Sequence, residues 1–313
     1  MLAYVIRRTA YGFVTLLGVL FFLFVLFFFV TTPEDMARRA LGDKAPPEAV
    51  RQWIVNHGYD RPLPTLLAEH YRRMLTFDFG RSDADDVPIT KRLREGVGPS
   101  LSLTVPLFLL SLPIALGLAL LVAFFRETYI DRVGVVLCVL AMSVSMLLYI
   151  IGGQYLIGKL LRWFPISGWD PNPAVVGRFL ALPVLIGVLA GLGSQVRFYR
   201  TVFVEESGRD HVRTARAKGC GEGRVMFRHV LRNALIPVVT NVVLDIPFLF
   251  VGSLLLESFF GIPGLGSLTR EAIDGNDFAT LRTMVFIGAM LFIGAQIATD
   301  VVYTVVDPRV RLE

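Results

Sequence analysis

Long apolar runs alternate with short charged segments along the whole chain. The first run, residues 9–32, contains no charged residue and directly follows Arg7 and Arg8. About 20 apolar residues form a helix long enough to cross the hydrocarbon core of a bilayer, and this run is too long for a signal peptide. The pattern therefore predicts an all-α polytopic membrane protein with six transmembrane helices, at residues 9–32, 99–125, 133–158, 179–196, 233–256 and 283–306.

The charges between these runs predict the orientation of the chain. Residues 197–232 carry nine basic and four acidic side chains, whereas residues 257–282 carry two basic and four acidic ones. Lys and Arg accumulate in the cytoplasmic loops of membrane proteins. We therefore expect residues 197–232, the link 126–132 and both termini in the cytosol, although the predicted outer loop 159–178 has three basic residues against Asp170.

One long polar segment separates the first two predicted spans. Residues 31–98 contain eleven basic and eleven acidic side chains and six prolines, too many interruptions for an independent enzyme domain. Loops longer than about 60 residues escape the positive-inside rule, so these basic residues do not oppose an outer position. We predict an extracytoplasmic insertion at 33–98, with short helices near 48–57 and 65–75.

Composition agrees with a membrane protein. Of the 313 residues, 54% are hydrophobic and only 18% are charged, whereas a soluble domain carries about 25% charged residues. The net charge of +5 arises mainly from basic residues between apolar runs, where topology and anionic lipid headgroups explain them better than nucleic acid does. Cys138 and Cys220 lie in different predicted environments, so we expect no disulfide.

No motif in the sequence indicates catalysis or metal binding. Residues 153–160 match the phosphate-binding pattern G-x-x-x-x-G-K, but Leu160 replaces the required Ser or Thr and the segment ends an apolar run. The four histidines lack the spacing of a metal pair. We therefore predict a non-catalytic chain that binds no metal and no cofactor of its own.

Acidic residues inside predicted spans are candidates for function. A carboxylate at the centre of a spanning helix costs about 2.5–3.5 kcal/mol on insertion scales. Asp245, with Asn241 one turn before it, should therefore face protein or water, either along a translocation path or in a packed hydrogen-bonded site. Asp300 lies nearer the inner end of the last span, where a structural role is favoured. Gly187 and Gly191 form a small-residue packing motif.

The longest basic interruption, residues 207–237, contains a predicted short helix at about 210–218. Asp210 can cap its start, and Gly219 can supply the left-handed residue after its end. Helical spacing gives the helix a basic face and a small apolar face of Val212, Ala215 and Gly219, the latter suited to a partner's groove. A second helix should run along the membrane surface and turn inward at Pro237; an ordinary lipid-facing basic loop is the alternative.

This stretch resembles the permease subunits of binding-protein-dependent ABC importers, specifically the B-type subunit of the dipeptide, oligopeptide and nickel class. In the general family motif, EAA is followed by a glycine and then by I-x-L-P. Aligned on Gly219, this chain has residues 213–215 as RTA and residues 229–232 as HVLR, so only part of that motif survives. The strings RTARAKG and RHVLRNALIPV are, however, similar to the peptide-class version.

The resemblance covers almost the whole chain. It includes the opening MLAYVIRRTAYGFVTLLGV, the segment FDFGRS at 77–82, the stretch 252–266 and the ending DPRVRL. The resemblance implies the type I ABC importer fold and a coupling helix that docks on an ATPase. The coupling residues would be Asp210, His211, Val212, Arg213, Thr214, Ala215, Arg216, Ala217, Lys218 and Gly219.

The same resemblance implies a function and a set of partners. The chain would pair with a second homologous permease, two cytosolic ATPase subunits that use ATP and Mg²⁺, and an extracytoplasmic solute-binding protein, in a bacterial or archaeal inner membrane. Transport of di- or oligopeptides would proceed by alternating access, with Asn241, Asp245 and Glu257 as candidates for the path. A nickel chelate or another small solute is the alternative cargo, and a free-standing secondary transporter is the alternative class.

Overall fold

The computed structural model describes residues 2–27, 32–42, 44–56 and 58–306. The end of the first predicted span, His57 and the terminal motif DPRVRL lie outside the described residues. The described part is helical and contains no β-strand, only one isolated bridge between Arg81 and Pro88. The predicted all-α class is therefore confirmed.

The helices are named in chain order. They are α1 (Leu2–Val25), α2 (Pro33–Leu41), α3 (Pro47–Asn56), α4 (Leu63–Leu75), α5 (Ile89–Phe124), α6 (Tyr129–Ser143), α7 (Met146–Gly153), α8 (Pro173–Ser207), α9 (Asp210–Ala217), α10 (Glu222–Arg224), α11 (Leu231–Val251), α12 (Leu254–Phe260), α13 (Leu265–Asp274) and α14 (Phe278–Val306). Two π-helical segments, Gln154–Leu160 and Val225–Val230, extend α7 and join α10 to α11.

Within the described part of the chain, five helical stretches are long and apolar enough to cross a membrane. They are Ile6–Val25, Ile89–Phe124, Ala174–Ser207, Glu222–Phe260 and Phe278–Asp300. A sixth candidate is the pair Tyr129–Ser143 and Met146–Leu160, which is bent by 88°. The third predicted span, 133–158, is therefore not one straight helix, because Val144 and Ser145 are extended and the Ser145 side chain caps α7.

In the described part of the chain, the spanning helices pack into one bundle, and its two largest buried cores join different sets of helices. α5 packs along α8, while α14 packs against both α1 and α11. One core, here the α9-side core, joins α5, α8, α9 and α11 around Tyr199 and Phe203. The other, the α12-side core, joins α5, α7, α8 and α12 around Leu103 and Phe260. At Gly187 a side chain would meet Leu107, which is the close helix contact that the small-residue motif predicts.

Ion pairs hold several helices together near their charged ends. Arg8 on α1 bonds Asp300 on α14, with Nε 2.9 Å from Oδ2, so the structure gives Asp300 the predicted structural role. Arg200 on α8 donates two hydrogen bonds, of 2.6 and 2.7 Å, to Asp131 at the start of α6. Both pairs compensate charge that would otherwise be costly next to apolar surroundings.

The polar segment 33–98 packs onto the bundle through α4. The Tyr71 hydroxyl donates to the carbonyl of Leu17 on α1 at 2.9 Å, and Met74 is buried beside Leu20 and Phe286. The helices predicted near 48–57 and 65–75 are present as α3 and α4. The segment therefore contains helices but is not a separate domain with its own large core.

Candidate functional site

The short helix predicted at about 210–218 is present as α9, immediately after the end of α8. Its first residue is Asp210, and Arg209, which has an extended backbone, occupies the N-cap position without a side-chain cap bond. The prediction that Asp210 caps the helix is therefore wrong, because the N-cap position lies one residue earlier, at Arg209. Asp210 still lies in the first turn, where its negative charge interacts favourably with the helix dipole.

The end of α9 is closed by backbone geometry. Gly219 has φ of +79°, in the left-handed region that the sequence predicts for this position. Its N–H donates to the carbonyl of Arg216, and the N–H of Cys220 donates to the carbonyl of Ala215. These two bonds form a Schellman motif, so the helix stops at a defined point and the chain reverses toward α10.

The apolar face of α9 contacts its own chain. Val212 is fully buried and Ala215 is 5% exposed, both in the α9-side core with Val225, Met226 and Val230. The expectation that Val212 and Ala215 present an apolar surface to a partner is therefore wrong. The apolar spacing was correctly identified, but these side chains contribute to the packing of α9 against the π-helical segment.

The opposite face of α9 is polar and free for contact. Asp210, Arg213 and Thr214 are exposed, with the side chains of Asp210 and Arg213 98% and 73% accessible. Ala217 and Lys218 at the end of the helix are also exposed. This face, residues 210, 213, 214, 217 and 218, is called the polar face of α9 below.

A polar network that the sequence did not reveal anchors α9 to its neighbours. Glu206, at the end of α8, is buried and lies 2.9 Å from Arg209 Nε and 3.3 Å from His211 Nε2. The same His211 nitrogen is 2.9 Å from the amide nitrogen of Asn233 on α11. These residues therefore connect α9 to both α8 and α11.

The segment after α9 differs from the predicted surface helix. Its helix begins at Glu222, passes through the π-helical segment, and continues into α11 without ending at Pro237. Val225 and Met226 face the core, whereas Phe227 is 67% exposed. The predicted inward turn at Pro237 is therefore wrong, because α11 accommodates this proline within a continuous helix.

A cavity of about 450 Å³ lies between α5, α7, α8 and α11. Asp245 lines it, together with the polar residues Thr104, Ser111 and Gln195 and the apolar residues Met146 and Phe248. The amide nitrogen of Asn241 lies 3.3 Å from both Asp245 Oδ2 and the Tyr199 hydroxyl. Gln195 falls inside the predicted fourth span, and a polar amide in an apolar run was the signal that could have identified it.

Glu257 occupies a different environment from Asp245. Its side chain is fully buried, and its carboxylate accepts hydrogen bonds from the Ser100 hydroxyl and from the N–H groups of Ser253, Gly266 and Ser267, at 2.7–3.1 Å. The expectation that Glu257 borders a translocation path does not agree with this burial. Glu257 instead accepts hydrogen bonds from N–H groups in the first turn of α13. The first N–H of that helix, from Leu265, donates to the Ser100 hydroxyl.

The described residues contain no group of three or more His, Cys, Asp or Glu side chains able to hold a metal ion. The segment 153–160 continues α7 as a π-helix, whereas a phosphate-binding loop joins a strand to a helix. Its resemblance to a nucleotide-binding motif is therefore limited to sequence.

Comparison with known proteins identifies the family. The family described as the binding-protein-dependent transport system inner membrane component matches residues 100–312, and the N-terminal family of the same membrane components matches residues 1–88. A Brucella abortus (strain 2308) protein named as a peptide transport system permease is 32% identical over 317 residues and all of both chains. The glutathione transport system permease protein of Salmonella choleraesuis (strain SC-B67) is 32% identical over 316 residues, 99% of each chain.

These matches extend over the spans, the long polar segment and α9. They agree with the resemblance to the dipeptide and oligopeptide class that the motifs around Gly219 indicate. The chain therefore belongs to the family of inner-membrane permease components of binding-protein-dependent ABC transport systems, as a multi-pass protein of the bacterial inner membrane.

Proposed function

We propose that this chain is the permease subunit of an ATP-driven peptide importer and that α9 is its coupling helix. The observation that carries the proposal is the division of α9 into two faces. Val212 and Ala215 fix the helix in the α9-side core, while the polar face remains accessible. A helix held by its own chain on one side and exposed on the other can transmit force from a docked ATPase.

The connections of α9 explain how that force would reach the membrane. Glu206 and His211 join α9 to the end of α8, and Asn233 joins it to α11. Arg200 on α8 in turn holds α6 through Asp131. ATP-driven closure of two ATPase subunits would therefore move α6, α8 and α11 with α9, opening the cavity alternately to the two sides of the membrane.

ATP binding and hydrolysis would take place on other subunits. Two cytosolic ATPases would bind ATP and Mg²⁺, a second homologous permease would complete the path, and an extracytoplasmic binding protein would deliver the solute. This chain would be non-catalytic, with its termini and α9 in the cytosol. Residues 33–98 and the outer loop 257–282 would face the binding protein.

Peptides are the proposed cargo because two relatives that cover the chain are named as peptide and glutathione permeases, and glutathione is a tripeptide. These names favour peptides over a nickel chelate. A free-standing secondary transporter would require coupling groups and internal repeats. The carboxylates of Asp131 and Asp300 are each in an ion pair, so neither is available as a coupling group, and Asp245 by itself is weak support for that alternative.

Co-purification of the ATPase subunits tests the coupling assignment. Thr214→Trp adds a bulky ring to the polar face of α9 without entering the core, and we expect loss of ATPase association and at least about a tenfold loss of uptake. Thr201→Trp, the same change at an exposed residue of α8, is the matched control. Normal ATPase stoichiometry in the Thr214→Trp complex would contradict the proposal.

A further inference from the structure

The cavity beside α11 contains an acid without a counter-charge. No basic side chain lies among the described residues that line it, and Asp245 has no ion pair within the described part of the chain. Among the described residues, its carboxylate accepts a side-chain hydrogen bond only from the amide of Asn241, at 3.3 Å. A carboxylate inside a spanning helix is costly without such compensation, so a ligand that brings positive charge would bind here favourably.

A second group on the cavity wall also lacks a partner. The amide oxygen Oε1 of Gln195 is buried and accepts no hydrogen bond from the described residues. Gln195 lies on α8 and Asp245 on α11, so the two acceptors approach the cavity from different helices. A buried acceptor without a donor costs about 1–3 kcal/mol. A hydrogen-bond donor on the ligand would recover this cost once the Gln195 side chain rotates its amide oxygen toward the cavity.

The cavity hydroxyls add further lone pairs. Thr104 donates its hydroxyl hydrogen to the carbonyls of Ser100 and Leu249 at 2.8 Å, and Ser111 donates to the carbonyl of Phe108. Both residues line the cavity. Because their hydroxyl hydrogens are already used, each hydroxyl can act toward a ligand only as an acceptor. An ammonium group, with three donors and one positive charge, matches such a surface.

We infer that Asp245 and Gln195 bind a cationic amino group of the transported solute within the cavity. The inference rests on the proposed function, under which the group is the free α-ammonium of a peptide. The apolar walls formed by Met146 and Phe248 would accommodate the side chains that follow it. The chain would thus select for a free amino terminus inside the membrane, beyond the selection made by a binding protein.

The test compares two peptides in the complete transporter. A peptide and its desamino analogue, which lacks only the α-amino group, are first shown to bind the solute-binding protein and are then used at saturating concentration. ATP-dependent uptake is measured in proteoliposomes. We expect wild-type protein to prefer the free-amino peptide by about tenfold, the change given by about 1.4 kcal/mol of differential binding.

Substitutions at Asp245 and Gln195 distinguish a loss of charge or hydrogen bonding from a loss of packing. Asp245→Asn should lower uptake of the free-amino peptide about tenfold and leave the desamino peptide unchanged, whereas Asp245→Glu should keep the preference. Gln195→Leu should lower free-amino uptake about threefold. An equal loss for both peptides, as expected if Asp245 instead pairs with a basic residue of the second permease, would overturn the inference.

The two proposals fail in different ways. If wild-type protein imports both peptides with ATP and Asp245→Asn still prefers the free amino group, the ammonium site is refuted and the importer assignment stands. If wild-type protein with all its partners imports neither peptide, the peptide-importer assignment is refuted and the inference is refuted with it.

Discussion

Asp245 on α11 and Glu257 on α12 lie within one candidate membrane span, yet their surroundings differ completely. The carboxylate of Glu257 accepts four hydrogen bonds and has no exposed surface. Asp245 is half-buried at a cavity, with one weak contact from Asn241. Glu257 has all of its bonding capacity met within the fold, so it stabilises structure, whereas Asp245 keeps its capacity for a ligand.

The difference shows that the position of an acid in or beside an apolar span does not by itself identify a functional acid. Glu257 joins three elements, since it bonds Ser100 on α5, the start of α12 and the start of α13. The backbone is so close there that a side chain on Gly252, which has φ of +79°, would overlap the Glu257 carboxylate. A functional role is therefore expected for an acid whose carboxylate lacks hydrogen-bond donors from its own chain.

The largest expected effect is the removal of Glu257. Glu257→Ala leaves its four donors without an acceptor, and we expect the free energy of unfolding to fall by roughly 3–5 kcal/mol. Thermal unfolding of the purified protein and its level in the membrane measure the loss. Glu271→Ala, at an exposed acid of α13, is the control and should change little. Equal stability of the two variants would contradict the structural role of Glu257.

A pH effect is expected from a third buried group, His70 on α4. Burial first, and then the positive charge of Arg282, lower the pKa of His70 to about 4 from its ordinary value of 6.5. The unfolded chain therefore binds a proton between these values that the folded chain does not. Stability should be fully present above pH 6.5 and decrease toward pH 4, by roughly 3 kcal/mol in total.

The pH dependence of the unfolding temperature measures this contribution. His70→Phe should remove the part of the acid sensitivity that lies between pH 6.5 and 4, while His229→Phe, at a partly exposed histidine, serves as the matched control. The contribution of His70 would be disproved if both variants kept the wild-type pH profile.

The smallest expected effect on stability is at Asp245. Asp245→Asn keeps the size of the side chain and breaks no ion pair among the described residues, so the free energy of unfolding should change by no more than about 0.5 kcal/mol. The same thermal unfolding assay as for Glu257 measures it. A loss as large as that of Glu257→Ala would remove the contrast between the two acids.

Much of the fold was predictable because the bilayer requires long apolar helices with charged connections. The polar interruptions correctly separated most spans, and Gly219 correctly indicated the end of α9. The bend between α6 and α7 was not predicted, since Val144 and Ser145 lie in an uncharged run. Helices α5 and α8 also extend beyond their predicted spans, because charged residues at their ends are exposed or, like Arg200, paired.

The candidate site was predicted in position but not in orientation. Sequence spacing placed Val212 and Ala215 on one face of α9, but the same spacing is compatible with contact to a partner or to the chain itself. The network of Glu206, His211 and Asn233 joins residues far apart in sequence, so no local pattern could reveal it. The polar amide of Gln195 in an apolar run was a signal in the sequence, but only the folded structure places this residue at the Asp245 cavity.

The sequence by itself determined the class of protein, the main spans and the place of the short helix α9. Hydrophobic length, charge placement and a glycine that adopts a left-handed conformation are local properties, and the membrane makes their consequences unambiguous. Only the tertiary structure decided which carboxylates are fully hydrogen-bonded within the chain and which face a cavity. That distinction depends on hydrogen-bond donors from helices that are distant in sequence, as Ser100 is from Glu257. These contacts form only when the helices pack together.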